Sequence, residues 1–233
     1  YEGEARVERE GYSTDLFADR AIDVVRRADP KPFFLSLHFN APHWPWEGPQ
    51  DQGKAASIRE MAHYEGGSPR AFRVMVESLD AAVGRVLKAL EASGRAGDTI
   101  IVFTSDNGGE RYSYHWPFRG EKGSPFEAGW RVPGIMWAPG KIPAGQVLNE
   151  MMSHMDVWPT TAAMAGLTPP PHGEWKDNNG KPIYFDGIDN SAYVTGKTQH
   201  SARNGWIYID GENFSGVRAD IALDPEAPDV KIA

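Results

Sequence analysis

Thr99-Ile100-Ile101-Val102-Phe103-Thr104-Ser105-Asp106-Asn107-Gly108-Gly109 is the stretch on which the fold turns. Residues 99–104 are β-branched or aromatic throughout, which predicts a buried strand. Residues 105–109 are turn formers, so the strand ends in a loop rich in oxygen-bearing side chains. Upstream, Phe72, Val76, Leu79, Val83, Val86, Leu87 and Leu90 recur at helical spacing from Ala71, and Arg73 can pair with Glu77 on the other face. Ser93-Gly94 stops that helix. Before it, Phe33-Phe34-Leu35-Ser36-Leu37-His38-Phe39 is a second apolar run of strand length. Pro42 and Pro45 end it, because proline breaks a central ladder. Strand, helix, strand in that order predicts a βαβ unit with neighbouring parallel strands.

Outward from this unit, Ser13 and Thr14 are cap-type residues before a helix with Phe17, Ala21, Val24, Val25 and Ala28 on one face. Residues 47–70 are a polar, Gly-rich excursion with some helix. A third strand is expected over 132–138, and a short helix over 156–165 closed by Gly166. Pro169-Pro170-Pro171 is a linker or rigid turn. Trp206–Asp210 and Phe214–Arg218 form a hairpin around Gly211-Glu212-Asn213. The expected fold class is α/β: part of a large mixed sheet flanked by helices over 1–168, followed by a small antiparallel subdomain and tail over 169–233.

The composition sets outer limits. The chain has 233 residues, 40% hydrophobic and 24% charged, which is an ordinary globular balance. Its 25 Gly and 18 Pro point to a turn-rich fold rather than a helix bundle. A net charge of −8 with scattered basic residues disfavours nucleic acid and anionic lipid as partners. No apolar run approaches the ~18 residues that span a bilayer. With 0 Cys, disulfides, thiolate metal sites and thiol nucleophiles are excluded within these residues.

Three segments carry candidate chemistry. Asp106 and Asn107 offer a carboxylate and an amide carbonyl side by side, the hard oxygen ligands that Ca²⁺ and Mg²⁺ prefer. Taken alone, the same residues also make an ordinary Asn-Gly turn. His43 sits between Pro42 and Trp44-Pro45-Trp46, rigidly presented where an imidazole can protonate a leaving group. The bland alternative is a histidine hydrogen-bonded within a stiff loop. Arg119-Gly120-Glu121-Lys122-Gly123 sets two cations among glycines, which suits a tetrahedral oxyanion as well as a solvated loop. Glu127 and Arg131 are spaced for a structural ion pair, and His38 inside the strand is read as a packing residue. Trp44, Trp46, Tyr112, Tyr114 and Trp116 either line an aromatic or sugar-binding cleft or pack the core.

The order of these segments closely resembles the sulfatase family of the alkaline phosphatase superfamily. The resemblance runs from Phe34 through Asn40-Ala41-Pro42-His43, the helix near Ser78-Leu79-Asp80, and Thr99–Gly108. It continues through Arg119–Pro133, Asp156-Val157-Trp158-Pro159-Thr160, Ala165-Gly166 and Phe185-Asp186-Gly187. The stretch from Gly187 to Arg218 is most similar to the arylsulfatase branch. The resemblance implies a sulfuric ester hydrolase in which Asp106 and Asn107 are two ligands of a divalent cation, usually Ca²⁺, with Mg²⁺ the alternative. Lys122 would bind the sulfate group, and His43 would contact the ester oxygen and act as general acid. Family members attack sulfur with formylglycine, made from a Cys or Ser in the motif Cys/Ser-x-Pro-x-Arg.

The departures define the remaining expectations. No such motif is present, and the nearest look-alike, Gly67-Ser68-Pro69-Arg70, has the wrong spacing. Ala128 stands where the family favours Gly, and residues 219–233 do not extend the resemblance. The start, Tyr1-Glu2-Gly3-Glu4, is neither a signal peptide nor an initiation site. The sequence is therefore expected to be the C-terminal half of a sulfatase, with formylglycine in the N-terminal half, and to be inactive alone. The substrate class implied is a small-molecule or carbohydrate sulfate ester. The compartment stays open between bacterial cytoplasm and periplasm, and so does the oligomeric state. Two other readings share these residues: a phosphomonoester, phosphodiester or phosphonate hydrolase of the same superfamily, and a non-catalytic remnant that binds an anion or a partner.

Overall fold

Helix α1, Ser13–Arg26, buries Thr14, Ala18, Ala21 and Val25 along one stripe. The computed structural model to which it belongs describes residues 3–27, 29, 31–51, 66–168, 173–210 and 213–219. Ala28, the triproline, the tip of the hairpin and most of the 47–70 excursion lie outside the described residues. The cap of α1 differs from expectation. Tyr12 is the N-cap residue, without a side-chain cap bond, and Ser13 and Thr14 lie inside the first turn. The buried stripe is also rotated: Phe17 is 39% exposed, while Ala18 and Ala21 are buried. Small residues win this face because they let α1 pack closely against the second helix.

That helix, α2, spans Pro69–Ala92. Ser68 caps it by accepting a hydrogen bond from Ala71 N at 3.1 Å, and Pro69 occupies the first turn, where no donor is needed. Met75, Ala82, Ala89 and Leu90 are its buried residues. Arg85 reaches across to Asp15 and Asp19 of α1 at 3.0 and 2.8 Å. Arg73 pairs with Glu77 at 2.7 Å as expected. Ala41, Trp46 and Met75 form a core with Trp44, Phe72, Leu79 and Tyr112 packed against it. The rings of Trp46 and Tyr112 meet edge-on at 4.9 Å, so these aromatics pack rather than line a cleft, whereas Tyr114 and Trp116 are exposed.

The first expected strand is corrected. Residues 33–39 alternate half-buried and exposed positions, but belong to no ladder among the described residues. The period-two pattern is present; the hydrogen-bonding partner that would make it a strand is not. Phe34 is 90% exposed. His38 is exposed, not packed, and its Nε2 lies 2.7 Å from Ser36 Oγ.

β1, Ile101–Thr104, pairs with β2, Gly134–Trp137, in an antiparallel ladder with Ile101 opposite Trp137 and Thr104 opposite Gly134. The expected strands over 99–104 and 132–138 thus pair with each other, antiparallel, through the long 105–133 connection, while the expected parallel neighbour over 33–39 joins no ladder among the described residues. Neither strand is buried: Phe103, Ile135 and Trp137 are 37, 59 and 42% exposed. A four-residue helix α3, Glu127–Trp130, ends the connection.

α4, His154–Met164, starts from a capping box. Ser153 Oγ accepts from Met155 N at 3.2 Å, and Asp156 accepts from Ser153 N at 2.8 Å. It ends in a Schellman turn, with Leu167 N donating to Ala162 O and Gly166 N to Ala163 O. A short helix α5, Ser191–Val194, packs beside it, and Ala138, Met164 and Val194 form the local core. β3, Gly205–Asp210, and β4, Asn213–Ala219, make the expected hairpin, with an irregularity between Tyr208 and Ile209.

These elements fall into two compact units. One is Tyr1–Gly97 with Arg111–Tyr114, and the other is Asp98–Glu110 with His115–Ala233.

Candidate active site

Asp106 and Asn107 leave β1 at its carboxyl end, the edge where ligands bind in open α/β sheets. Their loop is folded tightly on itself. Ser105 Oγ donates to Asn107 O at 3.2 Å, and Asn107 N donates to Asp106 Oδ1 at 3.0 Å. Gly108 N then donates to Gly129 O at 2.9 Å. Gly108 is required here, since a Cβ would lie 1.8 Å from Ala128 O. The Asp106 side chain is exposed and Asn107 half-buried.

The Lys122 turn is fastened to this loop through the backbone. Lys122 N donates to Gly109 O at 2.8 Å. Ser124 staples the turn by accepting from Glu121 N at 3.1 Å and donating to Glu121 O at 2.7 Å. Gly120 adopts φ +89°, and a side chain there would also strike Ser124 and Phe126. Ala128 N donates to Arg119 O at 3.1 Å, closing the turn from the other side. Three of the four residues singled out from the sequence, Asp106, Asn107 and Lys122, thus belong to one stitched loop system. Ala128 is itself buried, so its extra methyl group relative to Gly is accommodated.

His43 belongs to the first compact unit. It is exposed, and its Nδ1 lies 2.6 Å from Trp44 O. A carbonyl only accepts, so Nδ1 carries a proton and Nε2 is the nitrogen that gains or loses one.

The base of the Lys122 loop is held by α3 and the hairpin. Glu127 receives Arg131 at 3.4 Å, as the sequence predicts, and also Arg218 of β4 at 2.6 Å. Trp130 packs edge-on against Tyr208 at 5.4 Å and lies 6.3 Å from Trp206. Burial raises the Tyr208 hydroxyl above its ordinary range, with the Glu127 carboxylate adding to the effect.

The sequence reading missed the polar centre beneath these elements. Asp156 and Arg203 are buried and joined by two hydrogen bonds, at 2.7 Å from Nε and 2.6 Å from Nη2. Ile188 N also donates to Asp156 at 2.8 Å, and Arg203 Nη2 donates to Asp186 O at 2.8 Å. The Asp156 hydrogen bonds hold the Arg203 guanidinium above its already high range. Gly187 lies against α4, where a Cβ would come within 2.0 Å of Met155 O. The motif residues Asp156, Pro159, Thr160, Asp186 and Gly187 are therefore structural: they lock 186–203 onto α4. The sequence signal was there in those motifs, but nothing in it named Arg203 as the partner.

In kind, the donors of Asp106 and Asn107 fit a hard divalent cation. In number they are two ligands of a shell of about six to eight. Among the described residues, no group of three or more His, Cys, Asp or Glu gathers at metal-binding distance.

Comparison with known proteins supplies the remaining finding. The N-acetylgalactosamine-6-sulfatase of Sus scrofa is 35% identical over 67% of this chain and 30% of its own length. That of Homo sapiens is 31% identical over 88% of this chain and 42% of its own length. The crystal structure of Ps i-CgsB in complex with k-i-k-neocarrahexaose matches with TM-score 0.65 and 30% identity, covering 82% of this chain and 40% of that one. The chain thus spans well under half the length of these relatives. The family model described as Sulfatase matches residues 1–167, and on that match the chain belongs to the sulfatase family.

Proposed function

We propose that the chain carries the cation-binding and sulfate-binding residues of a hydrolase acting on carbohydrate sulfate esters. The observation that supports this reading is the pair of backbone bonds, Lys122 N to Gly109 O and Gly108 N to Gly129 O. They hold a lysine turn against a loop with adjacent carboxylate and amide oxygens. Asp106 and Asn107 would hold a divalent cation, Ca²⁺ or Mg²⁺. Such a cation supplies positive charge against the oxygens of the transferring group. The Lys122 side chain would meet the same oxygens. His43, protonated at Nδ1 toward Trp44 O, donates its Nε2 proton to the departing alcohol oxygen. The carbohydrate class is supported by the names of the relatives, an N-acetylgalactosamine-6-sulfatase and a protein in complex with k-i-k-neocarrahexaose.

The nucleophile of this reading is formylglycine, and these residues contain no motif for it. Ser68 of the nearest look-alike is occupied as the cap of α2. The 233 residues alone are expected to turn over no aryl sulfate, and robust turnover by the pure chain would overturn that expectation.

The test of the reading is a pair of variants in the enzyme that includes its nucleophile. Lys122→Ala should raise KM and lower kcat together, because the charge acts in ground and transition states alike. His43→Ala should lower mainly kcat, by about 10²–10⁴-fold, with a smaller penalty for nitrophenyl leaving groups. A penalty independent of leaving-group pKa removes the general-acid role. Faster turnover of the matching phosphate monoester than of the sulfate ester overturns the sulfatase assignment.

A further inference from the structure

Arg119 is the cation of the 119–123 turn that the reading above leaves unused. Arg131 and Arg218 both pair with the Glu127 carboxylate. Arg119 makes no ion pair with a carboxylate among the described residues. Its guanidinium carbon lies over the Phe126 ring, 4.0 Å from the centroid, and the residue is exposed. A guanidinium held over a ring and paired with no carboxylate keeps its fork of N–H donors, which matches a sulfate or carboxylate through two parallel bonds. Its backbone is as firmly placed as that of Lys122. Arg119 O accepts from Ala128 N, and Gly120, at φ +89°, has no room for a side chain. Only Gly120 and Glu121 separate it from Lys122, so the two Cα atoms lie within about 11 Å of each other.

We infer that Arg119 is a specificity residue for a second anionic group on the substrate, a sulfate or carboxylate on the same or the adjoining sugar. The inference rests on the reading of Lys122 as the residue that holds the scissile sulfate. The preferred substrate is then a carbohydrate with at least two anionic groups. Bulk electrostatics does not explain such a preference, because the chain carries a net charge of −8 and repels polyanions overall.

The test is binding of two sugars to the 233-residue chain, followed by NMR titration at fixed ionic strength. The probes are glucosamine 6-sulfate and glucosamine 2-N,6-O-disulfate. The wild-type chain should bind the disulfate about three- to tenfold more tightly, the range expected of one added charge-assisted contact at an exposed site. Arg119→Ala should abolish that ratio while leaving the monosulfate affinity within about twofold. Arg119→Lys, which keeps the charge but loses the fork, should restore part of it. Lys122→Ala should weaken both sugars alike. A ratio that persists in Arg119→Ala overturns the inference, as does an Arg119→Ala loss equal for both sugars. If binding of both sugars is indifferent to Lys122→Ala, the reading of Lys122 falls, and this inference falls with it.

Discussion

At the scale of single residues, the Asp156–Arg203 pair decides more than any candidate catalytic group. Asp156 has no solvent contact, and its carboxylate is matched by the guanidinium and by backbone donors from Ser153 and Ile188. Asp156→Ala should cost about 3–5 kcal/mol, because it strands a buried guanidinium without its countercharge. Replacing both residues with apolar ones, as in Asp156→Leu with Arg203→Met, should cost less than the two single changes combined. Urea denaturation of the three variants measures this. The pair also marks where the sequence stopped being legible. Asp106, Asn107, Lys122 and His43 could be picked out because each follows a recognisable strand or sits in a recognisable turn. Arg203 lies 47 residues from its partner across irregular chain, and no periodicity links them. The Arg119 turn was legible as two cations among glycines. The Glu127–Arg131 pair was legible from its spacing, but that Arg218 arrives from the hairpin to share Glu127 was not.

At the scale of elements, the long helices, the strands over 99–104 and 132–138 and the hairpin were readable, while the pairing of the first two strands was not. Over the 24 residues of α2, many repeats of the apolar pattern agree, and the observed start lies two residues before the expected one. Four-residue strands such as β1 and β2 carry too little pattern to fix either direction or partner. Antiparallel pairing emerges only once the 105–133 connection has folded. The face of α1 was right at Ala21 and Val25 and wrong at Phe17 for a different reason. Hydrophobicity favours Phe17, whereas close helix packing favours Ala18. The Ser68 cap gives a test at this scale. Ser68→Ala should lower stability by about 1 kcal/mol, and Ser68→Asp should preserve it. Faster hydrogen exchange at the Ala71 amide in the alanine variant alone would confirm the cap.

At the scale of the whole molecule, one contributor to the acid limb of stability is Glu150. Ser201 N donates to it and His200 Nδ1 lies 2.6 Å away, and these contacts, the backbone bond foremost, lower its carboxyl below the ordinary range. A lowered folded-state value contributes stability that is fully present above the unfolded value and disappears as pH falls through the folded one. Thermal unfolding followed across the carboxylate range should therefore show a shallower acid-side loss for Glu150→Gln than for the wild type. An unchanged slope rules Glu150 out as a contributor. A different consequence follows from residues 33–39. An apolar stretch without charged side chains, with its ladder groups unmatched among the described residues, is a template for strand addition between copies. On storage the isolated chain should seed cross-β aggregates that bind thioflavin T, starting from this segment. Phe34→Lys, at a position already open to solvent, should lengthen the lag phase without changing the far-UV spectrum, because a charge on an exposed edge repels the next molecule.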